Sequence, residues 1–158
     1  MKKIKLNDLQ VFCTNALVKS GMTAENAKTV SDVLTMTDTF GVVTHVTKNL
    51  NQYIQKMAAG GLDVSAQPSV EKEGPSWAII NGNKAIGMVS ACKAMSLAVE
   101  KAKKTGIAYV GVKNSCHFGA AGYYSNMAAK EGVLDLTDEM ADSLLQLGKS
   151  TGIELKLL

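Results

Sequence analysis

One stretch of the chain predicts a strand, a turn and a helix in succession, with a histidine in the turn: Lys113-Asn114-Ser115-Cys116-His117-Phe118-Gly119-Ala120-Ala121-Gly122-Tyr123-Tyr124. The apolar run 107–112 that precedes the turn is typical of a strand, and residues from about Ala120 to Glu131 have the pattern of a helix. Glycines in the turn allow a ligand to approach the backbone closely, and a histidine exchanges protons near neutral pH. The chain has two histidines, His117 and His45, so both are candidates for acid–base chemistry.

Length and composition predict a single domain with an apolar core. The chain has 158 residues, of which 46% are hydrophobic. Its 17 basic and 14 acidic residues leave a net charge of +3, spread evenly along the chain, which argues against a nucleic-acid or membrane partner. Three cysteines without metal-ligand spacing predict no metal site, and their odd number and the absence of a signal-like start favour the reducing cytoplasm. No apolar run approaches the length of a membrane span.

Every basic residue is a lysine, because the sequence contains no arginine. Arginine is the usual bidentate ligand for carboxylates and phosphates. An anionic ligand would therefore have to be bound by lysines, by backbone N–H groups or by helix N-termini. A genome of low GC content would produce the same bias without any functional meaning.

The first sixty residues predict three helices. The first has Asn7 as its N-cap, with Gln10 completing a capping box, and it ends at Gly21. Leu6 and Val11 are placed as a hydrophobic staple. Its predicted apolar stripe consists of Leu9, Phe12, Cys13, Ala16 and Leu17.

The second predicted helix begins at Thr23 and stops near Gly41, and the third begins at Thr44 and ends at Gly60-Gly61. The second helix directs a set of apolar side chains inward: Ala27, Val30, Val33 and Leu34. The third helix carries its apolar side chains on one face: Val46, Leu50, Tyr53, Ile54 and Met57.

Beyond residue 61, a turn-rich stretch with Pro68 and Pro75 precedes a predicted strand at 77–80 and a turn at 81–83. A long helix with its apolar face between Met88 and Ala102 then ends at Gly106. After Gly132 the pattern continues as an apolar run at 133–136 and a helix from about residue 138 to 147. The alternating segment 153–157 is typical of an edge strand.

His45 directly follows Thr44, the predicted N-cap of the third helix. The helix dipole disfavours an imidazolium at that position, so we expect a neutral imidazole that accepts protons. Lys48, Asn49 and Gln52 lie on the same predicted helical face. A solvent-exposed histidine on an amphipathic helix would fit the same spacing.

His117 lies in a glycine-rich turn that opens a helix, where free N–H groups can bind an anion. Such turns also occur without ligands. The segment Gly119-Ala120-Ala121-Gly122 does not form a G-x-G-x-x-G fingerprint, so no Rossmann fold is predicted. Cys116 could pair with His117 as thiolate and imidazole, but neighbours in an extended loop point apart, which favours an unreactive cysteine.

Taken together, these motifs resemble the malate/L-lactate dehydrogenase-like family of NAD(P)-dependent 2-hydroxyacid oxidoreductases. The resemblance runs from the first helix to about Gly132, and it depends on four features: Thr37-Asp38-x-x-Gly41-x-x-Thr44-His45, Tyr53, the segment 81–88 and, most specifically, Asn114–Tyr124. It implies an α/β (α+β) fold that is not a Rossmann fold and that is incomplete here. Residues 1–61 would form an N-terminal three-helix segment, and 62–132 would begin a cofactor-binding region with part of a mixed, largely antiparallel sheet. Residues 133–158 would be a divergent tail.

The family resemblance also implies a function and a set of site residues. The expected reaction is hydride transfer between NAD or NADP and a small 2-hydroxy or 2-oxo acid, in a homodimer, without a metal. His117 and His45 correspond to family histidines regarded as proton donor or acceptor. The residues expected at the substrate are Thr44, Lys48, Asn49 and Tyr53, and those expected at the cofactor are Ser115, His117, Phe118, Gly119 and Gly122.

Two departures from the family pattern bear on this prediction. Asn49 stands where many members have arginine, which removes the obvious carboxylate ligand and leaves Lys48 or backbone amides. Family members are about twice as long, and they continue after Gly132 with a Gly-x-Ala-Met-Ser-Asn type strand that contacts the cofactor. The chain instead reads Asp135-Leu136-Thr137-Asp138-Glu139-Met140. The alternative prediction is therefore a truncated, non-catalytic remnant that folds or oligomerises without binding cofactor.

Overall fold

Helices and strands alternate along the second half of the chain, after an all-helical first third. The computed structural model describes residues 2–130 and 138–155. Its elements are α1 (Leu6–Lys19), α2 (Ala24–Thr39), a 3₁₀ turn (Thr47–Asn49), α3 (Leu50–Ala58), β1 (Ser69–Gly74), β2 (Trp77–Asn81), α4 (Gly87–Thr105), β3 (Tyr109–Lys113), α5 (Ala121–Lys130) and α6 (Asp138–Thr151). The predicted mixed α/β architecture with three N-terminal helices is confirmed.

The described strands form one mixed sheet in the order β1-β2-β3. β1 pairs antiparallel with β2, and β2 pairs parallel with β3, with Ile80 opposite Val112. The parallel pair is connected by α4, which packs against both strands. The chain therefore leaves β3 at the same edge of the sheet at which it leaves β2.

The core is centred on α2, which packs against α1, α4 and α5. The predicted inward face is confirmed, because Ala27, Val30, Val33 and Leu34 are all fully buried. The predicted helix start is also confirmed: the Thr23 hydroxyl accepts a hydrogen bond from the Asn26 backbone N–H at 3.3 Å. α2 thus forms the rigid support on which the histidine turn and α5 lie.

The predicted start of α1 is wrong. The helix begins at Leu6 after Lys5, which makes no side-chain capping bond, so Asn7 lies inside the helix. Gln10 instead donates to Asp32 of α2 at 3.0 Å, an interhelical contact that takes the place of a capping box. Leu6 and Val11 are both exposed and form no buried staple.

Phe12 was also expected in the apolar stripe of α1, but it is 64% exposed. Cys13 and Leu17 occupy the centre of the buried face against α2, and both are completely buried. Phe12 lies one residue before Cys13, so the helical rotation of about 100° per residue carries it out of the contact with α2.

The third helix begins later than predicted. Residues 44–46 form a bend, the 3₁₀ turn follows, and α3 begins at Leu50. Thr44 is therefore no N-cap and His45 is not in the first helical turn, so the dipole argument for His45 does not apply. The Thr47 backbone N–H donates to the Asp38 carboxylate at 3.3 Å, which anchors this bend to the end of α2.

One strand was missed by the sequence analysis. β1 occupies part of the stretch predicted to be irregular, and none of its residues is buried. Because Val70 is its only large apolar residue, the strand has no apolar alternation to indicate it. Its antiparallel ladder with β2, including an irregularity between Val70 and Lys72, holds it in place.

The end of the chain differs in part from the prediction. α6 begins at Asp138 as expected but extends to Thr151, and none of its residues is buried. The described part of the predicted edge strand, residues 153–155, forms no strand. The predicted apolar run at 133–136 lies outside the described residues, as does Gly132. In the described ranges no helix combines the length and the hydrophobicity that a bilayer span requires.

Candidate active site

The turn that carries His117 lies directly on the first residue of α4. A side-chain Cβ on Gly87 would clash with the carbonyl oxygens of Cys116 and His117, the latter at 2.5 Å. The Gly87 N–H also donates to the Cys116 sulfur at 3.3 Å. Only glycine permits this approach, so Gly87 allows the backbone of the histidine turn to pack directly against the start of α4.

Gly119 holds the other end of the same turn. It has φ +82 and is buried, and a Cβ there would lie 3.3 Å from a methyl group of Val33. Its backbone nitrogen lies 3.4 Å from His117 Nδ1. The Tyr124 hydroxyl donates to the carbonyl of Phe118, which ties the turn to α5.

The two predicted catalytic histidines lie together although the sequence separates them widely. Their rings are stacked, with centroids 5.1 Å apart and planes inclined by 20°. The Tyr53 hydroxyl is hydrogen-bonded to His117 Nδ1 at 2.7 Å, and the Thr44 hydroxyl to His45 Nδ1 at 2.7 Å. Each ring is thus oriented at Nδ1 by a hydroxyl group, which leaves Nε2 as the nitrogen available to a ligand.

The surroundings of this pair favour a neutral imidazole beside a protonated phenol. Partial burial, the charge of His45 and the charge of Lys56, in that order, lower the pKa of His117. Burial, with a smaller effect of Cys116, raises the pKa of Tyr53 to about 12. At neutral pH the Tyr53 hydroxyl therefore keeps its proton and can either donate to or accept from the ring.

The predicted substrate residues take different positions around the histidines. Tyr53 and Thr44 contact the rings directly, as described above. The Asn49 amide donates to the Thr44 carbonyl at 2.7 Å, so it holds the bend that carries His45. Lys48 is exposed on the 3₁₀ turn.

The predicted cofactor residues also divide into two groups. Ser115 and Phe118 line an apolar cavity of about 590 Å³ between α4, β3 and α5. Ala91, Ala94 and Ala98 form one wall of this cavity, because their small side chains leave space beside the sheet. Gly119 is buried against Val33 instead, and Gly122 does not line the cavity.

A second cavity of about 540 Å³ contains two lysines, Lys56 and Lys84. Asn114, Ser115 and Cys116 line both cavities, so this segment is their shared wall. The sequence analysis missed Lys56, although its spacing of three residues from Tyr53 on a helix indicates a common face. It also missed the role of Gly87, which only the tertiary contact reveals.

Cys116 does not form the thiolate–imidazole pair considered above. Its sulfur accepts from the Gly87 N–H, and its thiol lies 3.6 Å from the carbonyl oxygen of His117. Both contacts are with the backbone. Among the described residues no group of three or more histidine, cysteine or carboxylate side chains is arranged to bind a metal ion.

Comparison with known proteins places this chain in a family of dehydrogenases. Residues 4–144 match the family described as malate/L-lactate dehydrogenase. The chain belongs to this family, as the resemblance implied. The match continues beyond Gly132, where the resemblance was expected to end.

Relatives and solved structures agree with this assignment. The chain is 39% identical to the malate dehydrogenase of Pyrococcus abyssi over 152 residues, which are 96% of the chain and 41% of that protein. It is 43% identical to the malate/(S)-sulfolactate dehydrogenase of Methanothermus fervidus over 117 residues, 74% of the chain and 34% of that protein. The structure of malate dehydrogenase from Pyrococcus horikoshii superimposes with a TM-score of 0.80 at 40% identity, covering 82% of the chain and 37% of that structure. The chain thus spans less than half the length of these relatives.

Proposed function

We propose that this chain supplies the acid–base and substrate-binding residues of an NAD(P)-dependent dehydrogenase that interconverts a small 2-hydroxy acid and the corresponding 2-oxo acid. The observation that carries the proposal is the Tyr53–His117 hydrogen bond of 2.7 Å, with His45 stacked on the same ring. Proton transfer to a hydroxyl or carbonyl oxygen needs a positioned group whose pKa lies near the working pH.

The role of His117 follows from its hydrogen bonds. In the direction of oxidation, Nε2 accepts the proton of the substrate hydroxyl, and the resulting imidazolium returns it in the direction of reduction. This role requires the tautomer in which Nδ1 carries the proton and donates it to the Tyr53 hydroxyl oxygen, and the same hydrogen bond persists in the imidazolium. A bound nicotinamide would supply or accept the hydride.

The apolar cavity fits the aromatic part of such a cofactor. Its volume of about 590 Å³ lies in the usual range for ligand sites, and alanine and valine supply six of its fifteen lining residues. Ser115 and Phe118 are the residues that would hold the ring there, next to the histidine turn. We keep NAD and NADP as equal candidates, and Gly119 as a residue that shapes the histidine turn through its φ of +82.

On the substrate side, we assign Thr44 and Asn49 to the positioning of His45. The Thr44 hydroxyl orients the ring, and the Asn49 amide fixes the Thr44 backbone. We keep Lys48 as a candidate carboxylate ligand, because it is exposed on the same 3₁₀ turn. The three free cysteines fit the cytoplasm as the proposed location.

The alternative of a non-catalytic remnant is not favoured. A remnant has no need to keep these side chains together, yet Tyr53 is hydrogen-bonded to His117 and His45 stacks on the same ring, although the three come from different segments. The family match extends over residues 4–144 as well.

A paired activity and binding experiment tests the proposal. Oxidation of L-malate and L-lactate with NAD and NADP is followed at the nicotinamide absorbance, and cofactor binding is followed by fluorescence. His117→Asn should lower the rate by about 10²–10⁴, the range for loss of a positioned acid–base group, without weakening cofactor binding to the same extent. The control is Lys28→Gln, on the exposed face of α2, which should leave the rate unchanged. Full activity of His117→Asn would overturn the proposal.

A further inference from the structure

The side chain of Tyr124 reaches from α5 to the histidine turn. It is only 5% exposed, and its hydroxyl donates to the Phe118 carbonyl. Its ring also lies beside the Phe118 ring, with centroids 5.7 Å apart and planes inclined by 49°. Burial raises the pKa of Tyr124, so the hydroxyl keeps its proton and acts as the donor of this bond. Tyr124 therefore contacts Phe118 at both its backbone and its side chain.

The peptide group between Phe118 and Gly119 is the part of the turn that this bond holds. Gly119 has φ +82, and a glycine adopts positive and negative φ values about equally readily. The peptide before Gly119 can therefore rotate more easily than a peptide between two residues with side chains. Because such a rotation would break the hydrogen bond to the Phe118 carbonyl, the Tyr124 hydroxyl selects one orientation of this peptide.

The same peptide lies between the two groups that the proposed reaction uses. The Gly119 nitrogen lies 3.4 Å from His117 Nδ1, the atom to which the Tyr53 hydroxyl is bonded. The rings of His117 and Phe118 are 6.5 Å apart and inclined by 32°. Phe118 and Tyr124 both line the apolar cavity. A rotation of the 118–119 peptide would thus disturb the histidine and the cavity wall together.

We propose that Tyr124 is a positioning residue of the dehydrogenase, whose hydroxyl holds the 118–119 peptide so that the His117 and Phe118 rings keep their relative orientation. The inference rests on the proposed function, in which His117 transfers the proton and Phe118 lies at the nicotinamide ring. Tyr124 acts through these two residues, since its own hydroxyl is engaged with the Phe118 carbonyl. Small displacements of positioned groups lower reaction rates strongly, so loss of this bond should affect the rate more than cofactor binding.

Tyr123, the preceding residue of α5, provides a matched comparison. Its hydroxyl donates to the Asp32 carboxylate of α2, and Asp32 also accepts from Gln10 of α1 at 3.0 Å. Tyr123 thus ties α5 to the helical core, and it does not line the apolar cavity. Tyr123→Phe and Tyr124→Phe each remove one hydroxyl and keep the ring. They differ in whether the core or the histidine turn loses a hydrogen bond.

The two variants and the unmodified chain are compared in the same three assays. The kcat and KM are measured for oxidation of L-malate and L-lactate with NAD and NADP, and cofactor binding is followed by fluorescence. The ring protons of His117 are titrated by NMR, and His45→Gln assigns the signals. Thermal melts verify that each variant folds.

We expect Tyr124→Phe to lower kcat about tenfold, the effect of losing one hydrogen bond from the reacting geometry, and to change the cofactor Kd by less than about twofold. It should also shift the His117 signals and raise the pKa of His117. A released turn exposes the ring to water, and burial is the largest cause that lowers this pKa. Tyr123→Phe should lower the melting temperature and leave kcat and the His117 signals unchanged.

The control separates positioning from general stabilisation of α5. Equal losses of kcat in the two variants, or an unchanged kcat in Tyr124→Phe, would overturn the inference and leave the proposed function intact. If the unmodified chain oxidises neither acid, the proposed function fails, and the NMR comparison then decides whether Tyr124 orients the turn. His117 signals that shift in Tyr124→Phe alone support that orientation, and unchanged signals in this variant overturn it.

Discussion

Three neighbours from different parts of the chain orient the His117 ring and set its pKa. Tyr53 binds its Nδ1, His45 stacks on its face, and Lys56 adds a positive charge nearby. Burial, the charge of His45 and the charge of Lys56 all oppose protonation of the His117 ring, so each cause can be tested by its effect on the pKa of His117.

We expect the pKa of His117 to lie below that of a free histidine and to rise in His45→Gln. The substitution removes the second-largest cause of the shift, the charge of His45. An NMR titration of the ring protons measures both values, with Lys28→Gln as a control that should not change them. A His117 midpoint that is unchanged or lower in His45→Gln would contradict the assigned electrostatics.

The same shift predicts how stability depends on pH. Because folding lowers the pKa of His117, the unfolded chain binds this proton more tightly than the folded chain. The contribution of His117 to the free energy of unfolding is therefore complete above about pH 6.5, and it is lost as the pH falls through the folded pKa. Urea denaturation between pH 5 and 8 should show a smaller acid loss for His117→Asn than for the unmodified chain. An equal loss would show that His117 is not a source of the acid sensitivity.

Two glycines near the site give opposite expectations for the same substitution. Gly87→Ala places a Cβ against the backbone of Cys116 and His117, where no flexible side chain can move aside, so we expect a loss of stability of about 1–3 kcal/mol. Gly122→Ala lies in α5 with nothing within 4 Å of the new Cβ, and it should stabilise the chain by up to about 1 kcal/mol. Denaturant unfolding measures both effects. A Gly87→Ala variant with an unchanged free energy of unfolding would show that the histidine turn is not packed this closely against Gly87.

Among the helices, α2 supports the whole site. Leu34→Ala should cost about 2–5 kcal/mol, because Leu34 is fully buried in the contact of α2 with its neighbours. Phe12→Ala removes a larger side chain from α1 but should change stability by less than about 0.5 kcal/mol, since Phe12 is 64% exposed. The free energies of unfolding of the two variants test the correction to α1. Equal losses of stability in the two variants would show that Phe12 is part of the buried core.

The elements that the sequence predicted well are those with strong periodicity. The buried face of α2, the strand β2 and the glycine that ends α4 all follow local patterns. β1 was missed because its side chains are exposed. The start of α3 was predicted too early because the bend at 44–46 depends on a contact with Asp38, which lies outside the local pattern. For the site, the residue types in the two histidine motifs indicated His45 and His117. Their meeting with Tyr53 and Lys56 is tertiary and could not be predicted from spacing.

The described sheet ends at β3. Its outer edge is not paired with any other described strand, and Ile107 and Tyr109 beside it are 76% and 68% exposed. Unpaired edges with apolar side chains favour pairing with another chain. Covering about 100 Å² of apolar surface contributes about 2.5 kcal/mol, which is a large part of the stability of a small domain.

We therefore expect the chain to form dimers or larger assemblies at micromolar concentration through the β3 edge, consistent with the homodimer that the resemblance implies. Tyr109→Lys should shift the population toward monomer, because a lysine on an exposed edge strand opposes pairing. Ile4→Lys is the matched control, since Ile4 is 63% exposed near the start of α1, far from the sheet in sequence, and should leave the assembly unchanged. Sedimentation velocity measures the populations, combined with a thermal melt of each variant. A monodisperse monomer with a cooperative melt in the unmodified chain would show that the β3 edge is covered within one molecule.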